Sequence, residues 1–403
     1  MNKYLLKGMI ITASDRPVID SGLVLIENDR IHYVGPISDD LLSSGLPIYE
    51  LNNGTILPGF IDCHAHLTGS ENAGGSKLFG DQLLGAAYQL QLILEAGFTS
   101  VRDMSEAGLY LSRAVDREHL TGPRILPGGK ILGITSGHVD LDPSMTKEIF
   151  NQHNHLSRLV DGVDECILGV REQFRAGAKF IKICATGGVS SPTDRLDDVQ
   201  FSPEELRAIV SETKRHDGYV AAHCTGYEGA YQALLAGVSS IEHGVFLTER
   251  EIELMEKLDA TLVTTLSVSL GVAKIPGLPK WMADKAAFCA EANLKSIELI
   301  RKAGVRIALG TDYSNSKNSS YHHLGNEFIA MTKAGLTPME AIKAGTKNAA
   351  HLMRNKELGT LEVDKLADIV LVSGNPLSDI TCLAGAENIK MVIKNGRILK
   401  NNL

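Results

Sequence analysis

The sequence predicts an α/β protein: a (β/α)8 TIM barrel with a small β-sandwich domain formed from both termini. Three observations carry that expectation. Both chain ends are β-rich, the middle alternates short apolar runs with helix-like stretches, and histidine, lysine and aspartate stand at the ends of those runs.

The N-terminal segments Lys3 to Thr12, Gly22 to Asn28 and Arg30 to Val34 have β composition, with Asn28-Asp29 as a turn. The C-terminus repeats the pattern in Asp368–Val372, Ile389–Lys394 and Arg397–Lys400, with Asn395-Gly396 as a hairpin marker. These ends place the sandwich in residues 1–57 and 358–403 and the barrel in 58–357. Eight middle runs read as parallel strands: Thr55–His66, Thr99–Met104, Arg124–Gly128, Phe180–Ala185, Tyr219–Cys224, Ser240–Gly244, Thr261–Leu266 and Arg306–Asp312. Helices between them have legible starts. In Ser202-Pro-Glu-Glu205 and Thr337-Pro-Met-Glu340, a hydroxyl N-cap, a proline and a glutamate at N3 make capping boxes.

A chain of 403 residues suits an α/β barrel with a satellite domain. With 44% hydrophobic and 22% charged residues it has the composition of a soluble globular protein. A net charge of −8 argues against nucleic acid as partner, because phosphate backbones attract a basic face. Lys7 and Gly8 interrupt the N-terminal apolar run, so no signal peptide is expected, and no apolar run reaches the roughly 20 residues that span a bilayer. The six cysteines form no C-x-x-C pair and read as reduced core thiols, so the expected location is cytoplasmic.

The ends of the predicted strands concentrate the chemistry. Strand one closes on His64-Ala-His66, and residues two apart on a strand share a face, so both imidazoles can reach one metal. Strand four offers Lys182, strand five His223, strand six His243 and strand eight Asp312. Each alone has a plain structural explanation: a solvated or hydrogen-bonded histidine, or an aspartate capping a helix. Together, at the strand ends of one barrel, they form a ligand set suited to zinc and other divalent transition metals. A buried lysine ammonium is costly without a partner, so Lys182 needs its own explanation.

With these residues in place the chain resembles the amidohydrolase superfamily over nearly its whole length. Leu57-Pro-Gly-Phe-Ile-Asp-Cys-His-Ala-His66, Lys182, His223, His243 and Asp312 follow that family's ligand order, and Leu366–Leu371 resembles its C-terminal β strand. Thr186–Asp194, His223–Gly226 and Ile241–Gly244 resemble the imidazolonepropionase-related branch, which includes bacterial dipeptidases and carboxypeptidases of the prolidase and Xaa-Arg type. The resemblance implies two divalent metal ions, zinc the expected one, with a CO2-derived carbamate on Lys182 bridging them. It implies His64, His66 and Asp312 on the first metal and His223 and His243 on the second. It further implies hydrolysis of a C–N bond in dipeptides or N-acyl amino acids. A metal-bridging hydroxide would attack, Asp312 would act as acid and base, and the protein would be a homo-oligomer.

For substrate binding the resemblance points to His138 in Ser136-Gly-His138 and to Tyr227 after strand five; each is equally explained as a loop or helix-start residue. His323 and Asn326 either line the pocket or orient Asp312. Arg102 and Asp103 read better as an internal ion pair than as pocket residues. The stretch Gly74-Gly-Ser-Lys77 lacks P-loop spacing and reads as a loop that helps form a lid; no G-x-S-x-G elbow suggests a serine hydrolase. Two rivals stay open: phosphotriester or lactone hydrolysis on the same metals, and a non-catalytic assembly protein of the same fold.

Overall fold

The computed structural model describes residues 2–68, 78–316 and 319–403. The expected lid stretch at 74–77 lies outside the described residues.

Strands from both ends share one seven-stranded sheet. β1 (Lys3–Ile10), β2 (Ile19–Glu27), β3 (Arg30–Pro36) and β4 (Ile48–Pro58) enter from the N-terminal side. The middle supplies β5 (Phe60–Ala65), β6 (Phe98–Asp103), β7 (Arg124–Pro127), β8 (Ile131–Gly133), β9 (Ser157–Leu159), β10 (Ile181–Cys184), β11 (Val220–Cys224), β12 (Ser240–His243), β13 (Thr261–Val263) and β14 (Ile307–Ala308). β15 (Ile369–Ser373), β16 (Ile389–Lys394) and β17 (Arg397–Asn401) complete the terminal sheet.

That sheet runs in the order β17-β16-β15-β4-β1-β2-β3. Leu6, Val24, Ile31, Ile56, Ile369 and Met391 meet in one buried apolar cluster, so the two chain ends are held by a shared core. The turn Asn395-Gly396 adds a polar tie. Gly396 has φ +69°, its carbonyl accepts from Asn2 Nδ2 (2.7 Å) and Tyr4 Oη (3.0 Å), and a Cβ there would sit 1.7 Å from the Asn28 carbonyl oxygen. Gly396→Ala is therefore expected to destabilise the fold by about 2 kcal/mol, read from the denaturant midpoint.

Each of the eight predicted middle runs contains a strand, but the seventh is confined to Thr261–Val263 and the eighth to Ile307–Ala308. Asp312 therefore stands in the turn beyond the eighth strand, and the first run is divided. The predicted Thr55–His66 strand is divided at Gly59: residues before it pair with β1 and β15 in the terminal sheet, and those after it pair with β6. Gly59 suits the division because a Cβ there would lie 2.3 Å from Thr99 Oγ1. β8 and β9 stand outside the predicted set; three residues each is too short for a period to show.

The middle strands pair in parallel, β5-β6-β7 in one sheet and β14-β13-β12-β11-β10-β8-β9 in another. Backbone hydrogen bonds cross between them. Cys63 N donates to Leu309 O (2.9 Å) and Asp312 N to His64 O (2.7 Å), while Lys179 N donates to Pro127 O (2.8 Å). Helices lie between most of the strands, and both predicted capping boxes are formed, at Ser202/Glu205 and Thr337/Glu340. No helix among the described residues is long and apolar enough to cross a membrane. All six cysteines are free.

Candidate metal centre

Parallel register brings the expected ligands to one end of the sheet. In it Lys182 pairs with Ala221, Cys184 with His223 and Cys224 with His243, so successive strands deliver their side chains at adjacent heights. β5 and the turn after β14 are fixed to each other by Asp62. Its Oδ1 accepts from His64 N and Thr311 N (both 3.0 Å), and its Oδ2 from Thr311 Oγ1 (2.6 Å). One buried carboxylate thus sets the positions of both His64 and Asp312.

The six residues converge. His66 Nε2 and His64 Nε2 lie 2.9 and 3.4 Å from Asp312 Oδ1, and Lys182 Nζ lies 3.4 Å from His64 Nε2. The rings of His64 and His243 are 5.0 Å apart, and those of His223 and His243 4.6 Å. Donor atoms of His64, His243 and Asp312 all fall within 4.8 Å of one another, a grouping that cuts across the expected division between two metals. His243 (φ +70°), Asp312 (φ +59°) and Thr265 (φ +50°) all have left-handed backbone. Such conformations are costly for non-glycine residues and gather where a site must be held in shape. Thr265 Oγ1 lies 2.7 Å from His243 Nδ1 and orients its ring.

Electrostatics favour metal donation. Burial pushes His64, His223 and His243 well below the usual imidazole range, with Lys182, His138 and His64 respectively the next influences, so their lone pairs stay free. Burial raises Asp312, but His64 and the hydrogen bond from His66 outweigh it and hold the carboxylate well below its ordinary range. Burial also lowers Lys182, and among the described residues no carboxylate is within ion-pairing distance of it. His66 Nδ1 is buried with no hydrogen-bond partner among the described residues. Neutral imidazoles, an ionised carboxylate and an orphaned ring nitrogen together fit a divalent transition metal.

Supporting residues surround these groups, and one of them, Glu242, is not singled out by the sequence. Glu242 Oε2 lies 2.8 Å from His64 Nδ1 and its Oε1 accepts from Arg102 Nη2 (2.7 Å), all three side chains being buried. Arg102 is indeed in an internal ion pair, but with Glu242; Asp103 instead accepts from the backbone of Leu67 (2.7 Å) and Gly108 (3.0 Å). A carboxylate behind a ligating histidine fixes its tautomer and raises its basicity.

The donors floor a cavity of about 420 Å3 that is also lined by His138. The His138 ring stacks on His223 (4.6 Å), its Nδ1 lies 3.1 Å from Asp194 Oδ2 and its Nε2 3.4 Å from Ser190 Oγ. Tyr227 is half exposed and lines a neighbouring cavity with Phe246 and Phe288. His323 is exposed on the turn Tyr321–His323. Neither is among the described residues lining the donor cavity. A tyrosine that begins a helix, as Tyr227 does, points wherever the helix axis sends it, and sequence does not fix that axis.

Parallel α/β architecture with imidazoles, a lysine and a carboxylate gathered at the strand ends is an arrangement that could hold a divalent metal. The chain belongs to the amidohydrolase family, which matches residues 55–399, and it is a hydrolase acting on C–N bonds. Ochratoxinase of Aspergillus niger is 32% identical over 417 residues, spanning 98% of this chain and 85% of the fungal protein. Imidazolonepropionase of Sphingopyxis alaskensis is 25% identical over 407 residues, covering 96% of this chain and 95% of that protein. A crystal structure of a prolidase complexed with N-methylphosphonate-L-proline matches with a TM-score of 0.89 at 32% identity, covering 99% of this chain and 100% of that one.

Proposed function

We propose that the chain is a binuclear metal-dependent amidohydrolase that cleaves the amide bond of dipeptides or N-acyl amino acids. The observation that carries this is the convergence of His64, His66, Lys182, His223, His243 and Asp312 on the floor of one cavity. Prolidase likeness favours C–N cleavage over phosphotriester or lactone hydrolysis.

The scaffold proposed for it is a closed (β/α)8 barrel over 58–357, with a β-sandwich from 1–57 and 358–403. The hydrogen bonds from Cys63 to Leu309 and from Lys179 to Pro127 support closure. The apolar cluster shared by both chain ends supports the sandwich.

Two divalent ions, zinc being the expected metal, would polarise the scissile carbonyl and acidify the attacking water. The six donors would hold them. Lys182, disfavoured as a buried cation, would through its neutral amine add CO2 with loss of a proton, and the resulting carbamate would supply an anionic oxygen ligand in place of an ammonium. Asp312 accepts the proton of the attacking water and delivers it to the departing amine nitrogen. His138 presents Nε2 to the substrate's carbonyl or carboxylate. Asp194 fixes its ring from behind, and Lys285 fixes Asp194, its Nζ lying 3.1 Å from Asp194 Oδ1 and donating to the carbonyls of Gly188, Ser191 and Asp194. Tyr227 and His323 are given no part in this scheme.

A library of dipeptides and N-acyl amino acids, with an aryl phosphotriester as contrast, tests the proposal. Hydrolysis of the amides is expected, lost after chelation and restored by zinc. Turnover of the phosphotriester alone would refute it. His138→Ala is expected to raise KM by about 10-fold, with a smaller change in kcat, since it removes one hydrogen bond to the substrate.

A further inference from the structure

The cavity has two unlike ends. Metal donors, His138, Ser190 and Thr225 make one polar end, and the rest is mostly hydrocarbon, interrupted by the hydroxyl of Ser269 and the thiols of Cys184 and Cys289. Val268 and Val272 come from the helix Leu266–Val272, Met282 and Ala286 from the helix Lys280–Ala303, and Leu141 from the loop after β8. Among the described lining residues the only Asp, Glu, Lys or Arg side chains are Asp312 and Lys182, both within the donor cluster. The nearby Lys285 has its ammonium occupied by the carbonyls of Gly188, Ser191 and Asp194 and by the Asp194 carboxylate. Among the described lining residues, a basic substrate side chain lying along this wall would find no carboxylate facing it, and an acidic one no cation. A neutral apolar group would displace water from hydrocarbon at no such cost.

We propose, resting on the hydrolase function given above, that the substrate is an amide carrying a bulky uncharged apolar group against these two helices. Val272 and Met282 are its specificity-determining residues. The volume of about 420 Å3 is enough for a dipeptide-sized molecule. This choice departs from the Xaa-Arg type of peptidase, whose arginine would require an acidic wall. Met282 and Val272 are both partly exposed to the cavity, so polar replacements there do not break the core.

The zinc-loaded full chain, its metal content measured, is assayed on two dipeptide series, Ala-Xaa and Xaa-Ala, where Xaa is Leu, Met, Phe, Asp, Lys or Arg. In one series kcat/KM for Leu, Met or Phe is expected to exceed that for Asp, Lys and Arg by about 100-fold or more. Met282→Glu and Val272→Glu are each expected to raise the Lys-to-Leu ratio by about 10-fold with metal content unchanged. A flat or charge-preferring profile, or a ratio unmoved in both variants, would overturn the proposal while leaving the hydrolase function standing. Failure of every dipeptide in both series would instead overturn dipeptide cleavage as the proposed activity, and this proposal with it.

Discussion

Asp312→Asn is expected to lower kcat by about 10³-fold or more while the protein keeps most of its metal. Asparagine preserves the shape and one oxygen donor, so the contacts to His64 Nε2 (3.4 Å) and His66 Nε2 (2.9 Å) have a partner of the same size. What disappears is the anionic oxygen proposed to take a proton from water and return it to the leaving nitrogen. The backbone also favours this replacement, because Asn tolerates the φ of +59° at position 312 as well as Asp does. Metal analysis beside steady-state kinetics separates the proton role from simple loss of a ligand. Wild-type kcat in the asparagine variant would remove Asp312 from the proton transfer.

Arg102→Leu is expected to destabilise the fold by about 3–5 kcal/mol, since it strands the Glu242 carboxylate in the interior. Arg102 and Glu242 are both fully buried and 2.7 Å apart, with Ser240 Oγ donating to Glu242 Oε1 and the guanidinium over the rings of Phe180 (5.1 Å) and Tyr219 (5.9 Å). Glu242 also touches His64, so the loss reaches the metal centre. Glu242→Gln keeps the shape but removes the charge behind His64, and metal affinity is expected to fall by about 10- to 100-fold. Combining Arg102→Leu with Glu242→Leu is expected to recover much of the stability but not the metal affinity. Chemical denaturation and metal titration read the two effects independently. A change under about 1 kcal/mol for Arg102→Leu would show that the pair is not isolated from water.

The gathering of six polar residues on one cavity is largely legible in the amino-acid sequence. The His64-Ala-His66 pair, Lys182, His223, His243 and Asp312 stand at strand ends, and a strand's apolar run followed by a lone polar residue is a local signal. Pairing partners are not legible in the same way. Nothing in the sequence near Arg102 names Glu242, because the contact is made across the sheet interior between residues 140 apart. The charges themselves are a usable hint: Val-Arg-Asp and Ile-Glu-His each bury an ionisable group in a strand, and two such groups of opposite sign call for each other. Asp194 and Lys285 carry no such sign, one lying in a loop and the other on the polar pattern of a long helix. Tyr227 lies away from the donor cavity for a related reason, since helix tilt decides its direction. The division of the predicted first strand at Gly59 is hidden in the sequence because both halves are apolar and extended.

The most direct test of the proposed two-metal hydrolase is the metal content of active protein, followed through chelation and zinc reconstitution. Activity on an amide substrate is expected to rise in proportion to bound zinc and to saturate near two ions per chain. Full activity with less than about a tenth of an ion per chain would contradict it.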